Sequence, residues 1–470
     1  MAADTETSAL NRVAGRRAVG PSGRDLPRYW ASMLRDPLAC YADLRREYGD
    51  AVRVPFTRRR TFYLLSRPEH AEHVLVSHQD RYVKAFTYRA LRTFFGDGLL
   101  TSEGDTWRRH RRLVQPVFGR RHVQAFAPAM VAAANDRAAT WANREPIDLA
   151  AEMRTLTMDI VGRVLFGTSL TATAERVGRA VTRLQDSALV AALLPTALLP
   201  GGGSPRGRRA AISLIPGLGA AANTLDDLVG TVIEQRIAHP HDTPVDLLDL
   251  LIASTGGDES PLSAREIRDE VSTLVLAGHE TTANTLAWTF TLLSRFPAAR
   301  ERLHAEVDEV LAGRDPHADD VDRLGWTNAV IRETMRLYPP VWTIERDAAE
   351  ADVVTGVHIP AGSTVVISPY LLHRDREFWP NPEGFDPGRF LPGRADDRPR
   401  YSYLPFGGGR RICVGASFAQ LEAALILASV ASRYRLDLVS GAPVRTSAGV
   451  TLHPRGAIPM TVTARSRTLS

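Results

Sequence analysis

The chain has 470 residues, of which 44% are hydrophobic and 24% are charged, and this composition is typical of a water-soluble globular protein. Its only cysteines, Cys40 and Cys413, exclude a disulfide framework and an iron–sulfur cluster held by four thiolates of the chain. They also favour a reducing compartment, the cytoplasm. A formal net charge of +5 would suit nucleic acid, an anionic membrane or an acidic protein. Because no nucleic-acid motif accompanies the basic runs, an acidic protein partner is favoured and nucleic acid is not.

Residues 1–23 are polar and lack the apolar stretch of a signal peptide or a membrane anchor. Asp4 and Glu6 count against an organelle transit peptide, which is poor in acidic residues. We therefore expect a disordered tail over residues 1–23 and no transmembrane anchor. No linker or internal repeat interrupts the rest, so we expect a single domain over residues 24–470.

The pattern after the tail predicts a helix and then a hairpin. Residues 36–48 have helical spacing and stop at Gly49. Residues 51–56 and 61–65 predict two strands around the basic turn 57–60.

A basic helix opens at Trp107. Trp107 and Arg111 are four residues apart, so they share one helix face. Arg108, Arg109 and Arg112 project from other faces, where we expect them to be solvated. On its own, this pattern is most simply a basic helix surface with one buried tryptophan.

Helical periodicity continues through most of residues 123–141, 150–165 and 174–198. Residues 188–200 are unusually apolar, but they are too short and too interrupted by proline to span a bilayer. A glycine-rich basic loop follows at 201–209. The two segments form either a mobile lid over a hydrophobic cavity or a buried helix with a surface loop, and the sequence favours neither.

Residues 263–295 form the longest helical pattern and begin with a Ser-x-x-Glu capping box. Its middle, residues 277–282, contains a glycine and two threonines, which are poor residues for a helix centre. A threonine hydroxyl can bond back to a carbonyl and bend the helix, so something local overrides helix propensity here. Taken alone, Glu280 and Thr281 are most simply a solvated acid beside a core hydroxyl. We interpret His279 as structural.

The next predicted helix carries Glu333 and Arg336, which can pair on one face and contribute little if the pair is exposed. Further on, residues 351–367 predict two strands with a turn at 360–362. Residues 434–463 predict terminal strands.

A glycine-rich loop with a cysteine, residues 406–415, precedes the apolar helical segment 416–434. A thiol at the start of a helix ionises more easily, because the helix dipole and the backbone N–H groups favour the anion. Three glycines leave room for a flat group, and Arg410 and Arg411 add positive charge. Such a thiolate suits a soft or borderline metal, although a lone Cys413 would more often be a buried structural residue.

The spacing F-x-x-G-x-R-x-C-x-G in residues 406–415 resembles the haem-binding loop of the cytochrome P-450 superfamily, the haem-thiolate monooxygenases. Four further stretches resemble motifs of that family in its order: W-x-x-x-R from Trp107, A-G-x-E-T-T from Ala277, E-x-x-R from Glu333, and Pro387–Phe390 in place of P-E-R-F.

The resemblance implies a mainly α-helical cytochrome P-450 fold with a small β region, and haem b as the cofactor. Cys413 would be the axial thiolate, which pushes electron density into the iron and favours O–O cleavage. Thr281 would hold the activated oxygen, and Glu280 would feed it protons through water. The other implied cofactor-binding residues are Trp107, Arg111, Arg346 and Arg411, which would contact the propionates, Phe406 beside the sulfur, and Ala277.

By the same resemblance, Arg389 would complete a network with Glu333 and Arg336. Gly388 stands where the family usually has a glutamate. This departure puts only the local contact of that glutamate in doubt.

The implied function is a monooxygenase that inserts one atom of O2 into a lipophilic small molecule such as a terpenoid or a fatty acid. Two electrons would come from a separate ferredoxin or flavodoxin with its reductase. High Arg and Ala usage hints at a bacterial source. The stretches that we expect to line the substrate pocket are mainly apolar: residues 88–100, 188–199, 274–281, 341–343 and 449–452.

Two other functions stay open at this point. One is a haem-thiolate isomerase or dehydratase that rearranges a peroxide without external electrons, and the intact Glu280–Thr281 pair argues against it. The other is a non-catalytic haem sensor, for which the sequence shows no output domain.

Overall fold

The computed structural model describes residues 15–57, 60–141, 146–167, 169–186, 217–241, 246–253, 262–394, 397–439 and 441–465. Helices dominate this part of the chain, and the strands form small sheets, as the sequence predicted. By their internal contacts, the residues group into two compact units. The first unit draws on Met1–Phe86, Val341–Gly384 and Asp397–Cys413, and the second on Thr87–Pro340, Phe385–Asp396 and Val414–Ser470.

The α-helices of the described residues are α1 (Leu26–Arg35), α2 (Pro37–Tyr48), α3 (Pro68–Glu72), α4 (Tyr88–Phe95), α5 (Gly104–Val114), α6 (Arg120–Ala125), α7 (Ala127–Ala139), α8 (Leu149–Phe166), α9 (Thr171–Asp186), α10 (Leu218–Ala238), α11 (Leu247–Ile252), α12 (Ala264–Arg295), α13 (Pro297–Leu311), α14 (Gly325–Leu337), α15 (Pro369–Leu372) and α16 (Ala416–Ala431). The strands are β1 (Ala51–Thr57), β2 (Arg60–Leu65), β3 (Tyr82–Lys84), β4 (Ile147–Asp148), β5 (Ile344–Ala348), β6 (Asp352–Val354), β7 (Val357–Ile359), β8 (Thr364–Ile367), β9 (Tyr434–Leu438), β10 (Arg445–Ala448), β11 (Leu452–Arg455) and β12 (Pro459–Ala464).

The first unit is built on a five-stranded sheet with the strand order β1-β2-β8-β5-β3. β1 and β2 form the antiparallel hairpin that the sequence predicted, with Ala51 opposite Leu65. β8 runs parallel to β2, and β5 and β3 extend the sheet in antiparallel pairs. Branched side chains such as Val365 and Ile367 suit a pleated surface and are fully buried, so this sheet carries the core of the unit.

The prediction of two strands over residues 351–367 was wrong in its count, because three strands form there. β6 and β7 pair with each other around Thr355 and Gly356, whose φ angles are 45° and 83°. β8 leaves this hairpin and joins the five-stranded sheet. A two-residue turn with positive φ at both positions connects antiparallel strands tightly, but Thr355 is an uncommon residue for it, and so the sequence signal was missed.

The predicted tail is too long at its C-terminal end. Arg16 N donates to Gly356 O at 2.8 Å, and Arg53 N donates to Val19 O at 2.8 Å. Ala18 is buried between these two contacts. Residues 16–19 are therefore fixed to the rest of the first unit by these hydrogen bonds.

The long helix α12 runs through the second unit and packs against α8, α10, α14 and α16. Its start is the predicted capping box: Ser263 N donates to Glu266 Oε2 at 2.8 Å, and Glu266 N donates to Ser263 Oγ at 3.3 Å. Nearly all residues from Ile267 to Leu293 are buried. A helix that is buried on almost every face is a core element. An exposed position on such a helix is therefore an exception that needs an explanation.

The apolar segment 188–200 and the basic loop 201–209 lie outside the described residues. Among the helices that the structure describes, none is both long enough and apolar enough to span a bilayer.

Candidate active site

The cysteine loop in the first unit presents its thiol on the surface. Cys413 is exposed, and the neighbouring Ile412 exposes 43% of its surface. Cys413 N donates to Phe406 O at 3.0 Å, which closes the loop. Gly409 has φ of 66°, and a Cβ there would lie 1.7 Å from Leu75 O, so only glycine fits. The loop is therefore shaped by its glycines and holds a thiol and an apolar side chain outward.

The segment that precedes β3 supports this loop. Residues His73–Ser77 form a π-helical turn, a feature that is often found at functional sites. Gln79 Oε1 accepts a hydrogen bond from Arg410 N at 2.9 Å, and the Arg410 side chain pairs with Asp80 at 2.5 Å. These contacts fix the backbone of the cysteine loop at Arg410.

The middle of α12 contains a small exposed window. Ala277 is exposed, and Gly278 and Thr281 are partly exposed, whereas their neighbours along the helix are buried. The three residues lie on one helix face, since their spacing is i, i+1 and i+4. We call Ala277, Gly278 and Thr281 the α12 window.

Thr281 bonds back to its own helix. Its hydroxyl donates to Ala277 O at 2.7 Å, as the weak helix propensity of this stretch indicated. Because a hydroxyl has one proton and two lone pairs, the oxygen of Thr281 can still accept a hydrogen bond from a group at the window.

Glu280 is buried, with 2% of its surface exposed. Its Oε1 accepts a hydrogen bond from the hydroxyl of Thr451 at 3.0 Å. The alternative of a solvated acid is therefore excluded. A buried carboxyl group needs hydrogen-bond partners, and the loop between β10 and β11 provides one of them, Thr451.

Glu422 was not singled out from the sequence. It is fully buried on α16, and burial raises its pKa to about 8, although the hydroxyl of Thr282 lowers it in part. A signal was present, because Glu422 is the only charged residue of α16. At neutral pH this side chain is a protonated acid in the core.

His279 occupies the buried side of α12, as its structural interpretation required. Neither ring nitrogen has a hydrogen-bond partner among the described residues. Burial lowers the pKa of His279 to about 3, with a smaller contribution from Arg154, so the ring is neutral. A Cβ at Gly178 would lie 3.6 Å from His279 Nε2, so Gly178 lies directly beside the imidazole ring.

The basic helix α5 is tied to α12 through His110. His110 is buried, its Nδ1 lies 2.6 Å from Glu270 Oε1, and its Nε2 lies 3.3 Å from Glu266 Oε1. Burial alone would lower the pKa of His110, but hydrogen bonds and charge from Glu270 and Glu266 raise it overall. Trp107 is buried on the same helix, and Arg111 is partly buried and donates to Gln115 at 3.0 Å.

The expectation that Arg109 is solvated was wrong. Its guanidinium pairs with Glu266, and only 24% of its side chain is exposed. Arg108 is exposed and pairs with Asp105, and Arg112 is exposed as expected. A sequence cannot show which arginine of a basic helix meets an acid from a distant element.

Arg346 lies in β5 of the first unit and is buried. It donates to Glu345 O at 2.8 Å, and among the described residues it forms no ion pair with a carboxylate. A buried guanidinium requires an anionic partner, so this position suits an acidic group of a ligand. Arg411 is partly buried in the turn Gly409–Arg411, and Phe406 is also partly buried.

The predicted network of Glu333, Arg336 and Arg389 is present in the second unit. Glu333 and Arg336 are fully buried, with Nε–Oε2 and Nη2–Oε1 distances of 2.7 and 2.8 Å. Arg389 Nε lies 3.2 Å from Glu333 Oε1. At Gly388, a Cβ would lie 2.9 Å from Asp386 Oδ1, so Asp386 takes the space beside this position.

A second group of possible metal ligands, His241, Asp246 and Asp249, lies in the second unit. Arg236 is buried and donates to Asp246 at 2.6 Å, and it also pairs with Asp249. Because the guanidinium of Arg236 already pairs with both carboxylates, we interpret this group as a structural ion-pair cluster.

Each unit contributes its own chemical groups. The first unit supplies an exposed thiol, an exposed apolar neighbour and the buried cation Arg346. The second unit supplies the α12 window with a hydroxyl and, beside it, a buried acid. A thiolate ligand for iron and a cation for carboxylates are what a haem with its propionates requires, so the residues present fit that group.

Comparisons with known proteins agree with this chemistry. The family described as "Cytochrome P450" matches residues 29–458. Cyclooctatin synthase of Streptomyces melanosporofaciens is 38% identical over 436 residues, which cover 92% of this chain and 92% of that protein. Pentalenene oxygenase of Streptomyces avermitilis is 35% identical over 427 residues, which cover 90% and 92%. The solved structure of the cytochrome P450DA heme domain is 25% identical, with a TM-score of 0.84, and the likeness covers 97% of this chain and 99% of that one.

Proposed function

The chain belongs to the cytochrome P450 family and is a haem-dependent monooxygenase, and from that premise we propose that it hydroxylates a terpenoid with electrons from a separate small redox protein. The reaction consumes the substrate, O2, two electrons and two protons, and it yields the hydroxylated product and water. The observation that carries the proposal is the exposed thiol of Cys413 in a loop that only glycine can form.

We assign the axial ligand of haem b to Cys413. When it is bound, the haem supplies the activation of O2 at its iron. Arg346 and Arg411 of the first unit, and Trp107 and Arg111 of the second, are the groups that we assign to the propionates. The burial of Arg346 without an acid of the described chain supports this assignment, because ionic partners of buried cations contribute most where water is excluded.

Thr281 and Glu280 are the residues that we assign to proton delivery. The hydroxyl of Thr281 donates to Ala277 O, so its oxygen can accept a hydrogen bond at the window, and we assign it the task of positioning a proton there. Glu280 is the buried acid that resupplies this position. Ala277 and Gly278 carry almost no side chain, which leaves space at the window for a flat cofactor and an apolar substrate.

The substrate class follows from two considerations. Cyclooctatin synthase and pentalenene oxygenase are named for terpenoid chemistry, and the sequence of this chain is similar to both over about nine tenths of its length. The window side chains are small and apolar apart from the Thr281 hydroxyl, which suits a hydrocarbon skeleton better than a polar metabolite. A fatty acid is the competing substrate class.

The partner that we propose is an acidic ferredoxin or flavodoxin. The helix α5 exposes Arg108 and Arg112, and a positive surface steers an acidic protein toward it. We place this exchange in the cytoplasm, where the thiol of Cys413 stays reduced before it binds haem.

The test uses the haem-loaded protein. Reduced protein under carbon monoxide should give the strongly red-shifted band of thiolate ligation, and Cys413→Ser should abolish it, whereas the control Cys40→Ser should retain it. A panel of polycyclic terpene hydrocarbons and of fatty acids of similar size is then added, and displacement of the iron-bound water is read from the haem spectrum. Binding and oxidation of the terpenes support the proposal. Retention of the band in Cys413→Ser overturns the ligand assignment, and oxidation of the fatty acids alone overturns the substrate class.

A further inference from the structure

The buried acid of α12 is held by a hairpin that is distant in the sequence. Thr451 Oγ donates to Glu280 Oε1 at 3.0 Å across a separation of 171 residues. Both residues are buried, with 5% and 2% of their surfaces exposed. A hydrogen bond in such buried surroundings is stronger than one at the surface, so it restricts the orientation of the carboxyl group.

The backbone around Thr451 is fixed independently of this contact. β10 and β11 pair with Ala448 opposite Leu452, and Gly449 N donates to Thr451 O at 3.1 Å. Leu452 N donates to Pro340 O at 2.8 Å, which attaches the hairpin to the chain after α14. Thr451 is therefore a hydroxyl on a rigid arm, and the arm determines where the hydroxyl lies.

The geometry of α12 places the held acid beside the window. Each residue turns an α-helix by about 100°, so Glu280 lies about 60° from Ala277 around the axis, and Thr281 lies about 40° on the other side. Glu280 is thus at the flank of the window and adjacent in sequence to the hydroxyl that it would resupply.

We propose that Thr451 is a positioning residue that sets the orientation of Glu280, so that the tip of the β10–β11 hairpin controls proton delivery at the α12 window. The inference rests on the proposed function of Glu280 and adds a residue to it. Thr451 does not touch the reacting atoms, and it acts through the carboxyl of Glu280. A displacement of the hairpin tip then moves the acid with it.

The test compares three variants of the haem-loaded protein. Thr451→Val has nearly the same shape but cannot donate, and Thr451→Ser retains the hydroxyl. Thr446→Val is the matched control, because Thr446 is exposed on β10 of the same hairpin. The first readout is the infrared carboxyl band of Glu280, assigned by its loss in Glu280→Gln and measured without substrate or electrons.

The expected result is a shifted Glu280 band in Thr451→Val and an unchanged band in Thr451→Ser and Thr446→Val. The second readout is turnover with partner-supplied electrons. There, Thr451→Val should form several-fold more peroxide per electron, with an altered solvent isotope effect, and Thr451→Ser should restore both values.

An unchanged band in Thr451→Val overturns the inference, because the hydroxyl then does not orient the acid. A shifted band with wild-type coupling and isotope effect also overturns it, because the orientation then has no bearing on proton delivery. A wild-type protein that binds haem but oxidises nothing overturns the proposed function instead, and the band shift still reports on the contact itself.

Discussion

Glu280 and Thr281 are sequence neighbours in different surroundings. The hydroxyl of Thr281 lies at the exposed window and bonds to its own helix, whereas the carboxyl of Glu280 is buried and one of its oxygens, Oε1, is bonded by Thr451. Glu422, on another helix, is buried as a neutral acid. At this scale, the surroundings of each side chain decide its protonation and its role.

Thr281→Ala should retain haem and bind substrate but waste electrons. The hydroxyl contributes during the reaction and not to binding, so peroxide per reducing equivalent should rise several-fold and product should fall. Peroxide and product are measured together under limiting reductant. Thr281→Ser, which retains the hydroxyl, is the control, and equal coupling in the wild type and in Thr281→Ala would place the proton path elsewhere.

Glu422→Gln should change how stability depends on pH. Because burial raises the pKa of Glu422 to about 8 in the folded protein from an unfolded value near 4.5, the folded state binds more protons between these pH values. The stability contribution of this group is therefore full below pH 4.5 and is lost as pH rises toward 8, by up to about 5 kcal/mol at roughly 1.4 kcal/mol per pKa unit.

Unfolding midpoints in urea at pH 5, 6.5 and 8 check this expectation. The stability of Glu422→Gln relative to the wild type should increase from pH 5 to pH 8, since an amide does not ionise. The exposed Glu301→Gln on α13 should show no such trend. Parallel pH profiles for the wild type and Glu422→Gln would show that the acid is not neutral in the folded protein.

The elements of the second unit are joined by buried ionic contacts. Glu333 and Arg336 pair within α14, and Arg389 adds the turn Pro387–Phe390 to the same carboxylate. His110 joins α5 to α12 in a similar way. A buried pair contributes less than its Coulomb attraction suggests, but the loss of one partner is costly because it leaves a charge without compensation.

Glu333→Ala or Arg336→Ala should destabilise the protein by roughly 3–5 kcal/mol, a large share of a typical folding free energy. Urea unfolding and the haem content of purified protein measure the effect. The control is Asp322→Ala, which removes an exposed ion pair. The side chains of Arg120 and Asp322 are 78% and 80% exposed, respectively. That change should cost only about 0–1 kcal/mol. Single variants of the buried pair with wild-type stability and haem content would contradict the structural role of the network.

Under the proposed function, the molecule receives two electrons from a separate protein, and its net charge affects how that protein docks. The net charge is +5, and the helix α5 exposes Arg108 and Arg112. Arg108 and Arg109 contribute less to the positive charge of this surface, because they are paired with Asp105 and Glu266. Arg112 on α5 is therefore the position at which charge reversal best tests partner docking.

Arg112→Glu should slow reduction by an acidic partner and weaken its salt dependence, because steering acts over a Debye length of about 10 Å at 0.1 M salt. Stopped-flow reduction with a ferredoxin and its reductase is measured at low and high salt. Turnover driven by peroxide, which needs no partner, should be unchanged. Arg445→Glu, on the exposed strand β10, carries the same charge change and should be reduced as the wild type is. Reduction of Arg112→Glu at the wild-type rate at low salt would place docking on another surface.

Local patterns in the sequence determined many of the structural features of this protein. The capping box before α12, the glycine-cysteine loop, the spacing of Trp107 and Arg111, and the first hairpin each depend on residues within about ten positions, which interact through one helix turn or one tight turn. The site residues that we propose were predicted from such patterns. The order of the motifs along the chain also indicated the family.

Only the tertiary structure decided which of these groups are buried and which partners they meet. The bond from Thr451 to Glu280, the neutral acid Glu422, the pairing of Arg109 with Glu266 and the hairpin β6–β7 all went unforeseen. Three of the four depend on burial or on a contact between residues far apart in the chain, and the fourth on positive φ at a threonine. A sequence pattern specifies the chemistry that a side chain can perform, whereas its desolvation and its partner are set by whatever the fold packs against it.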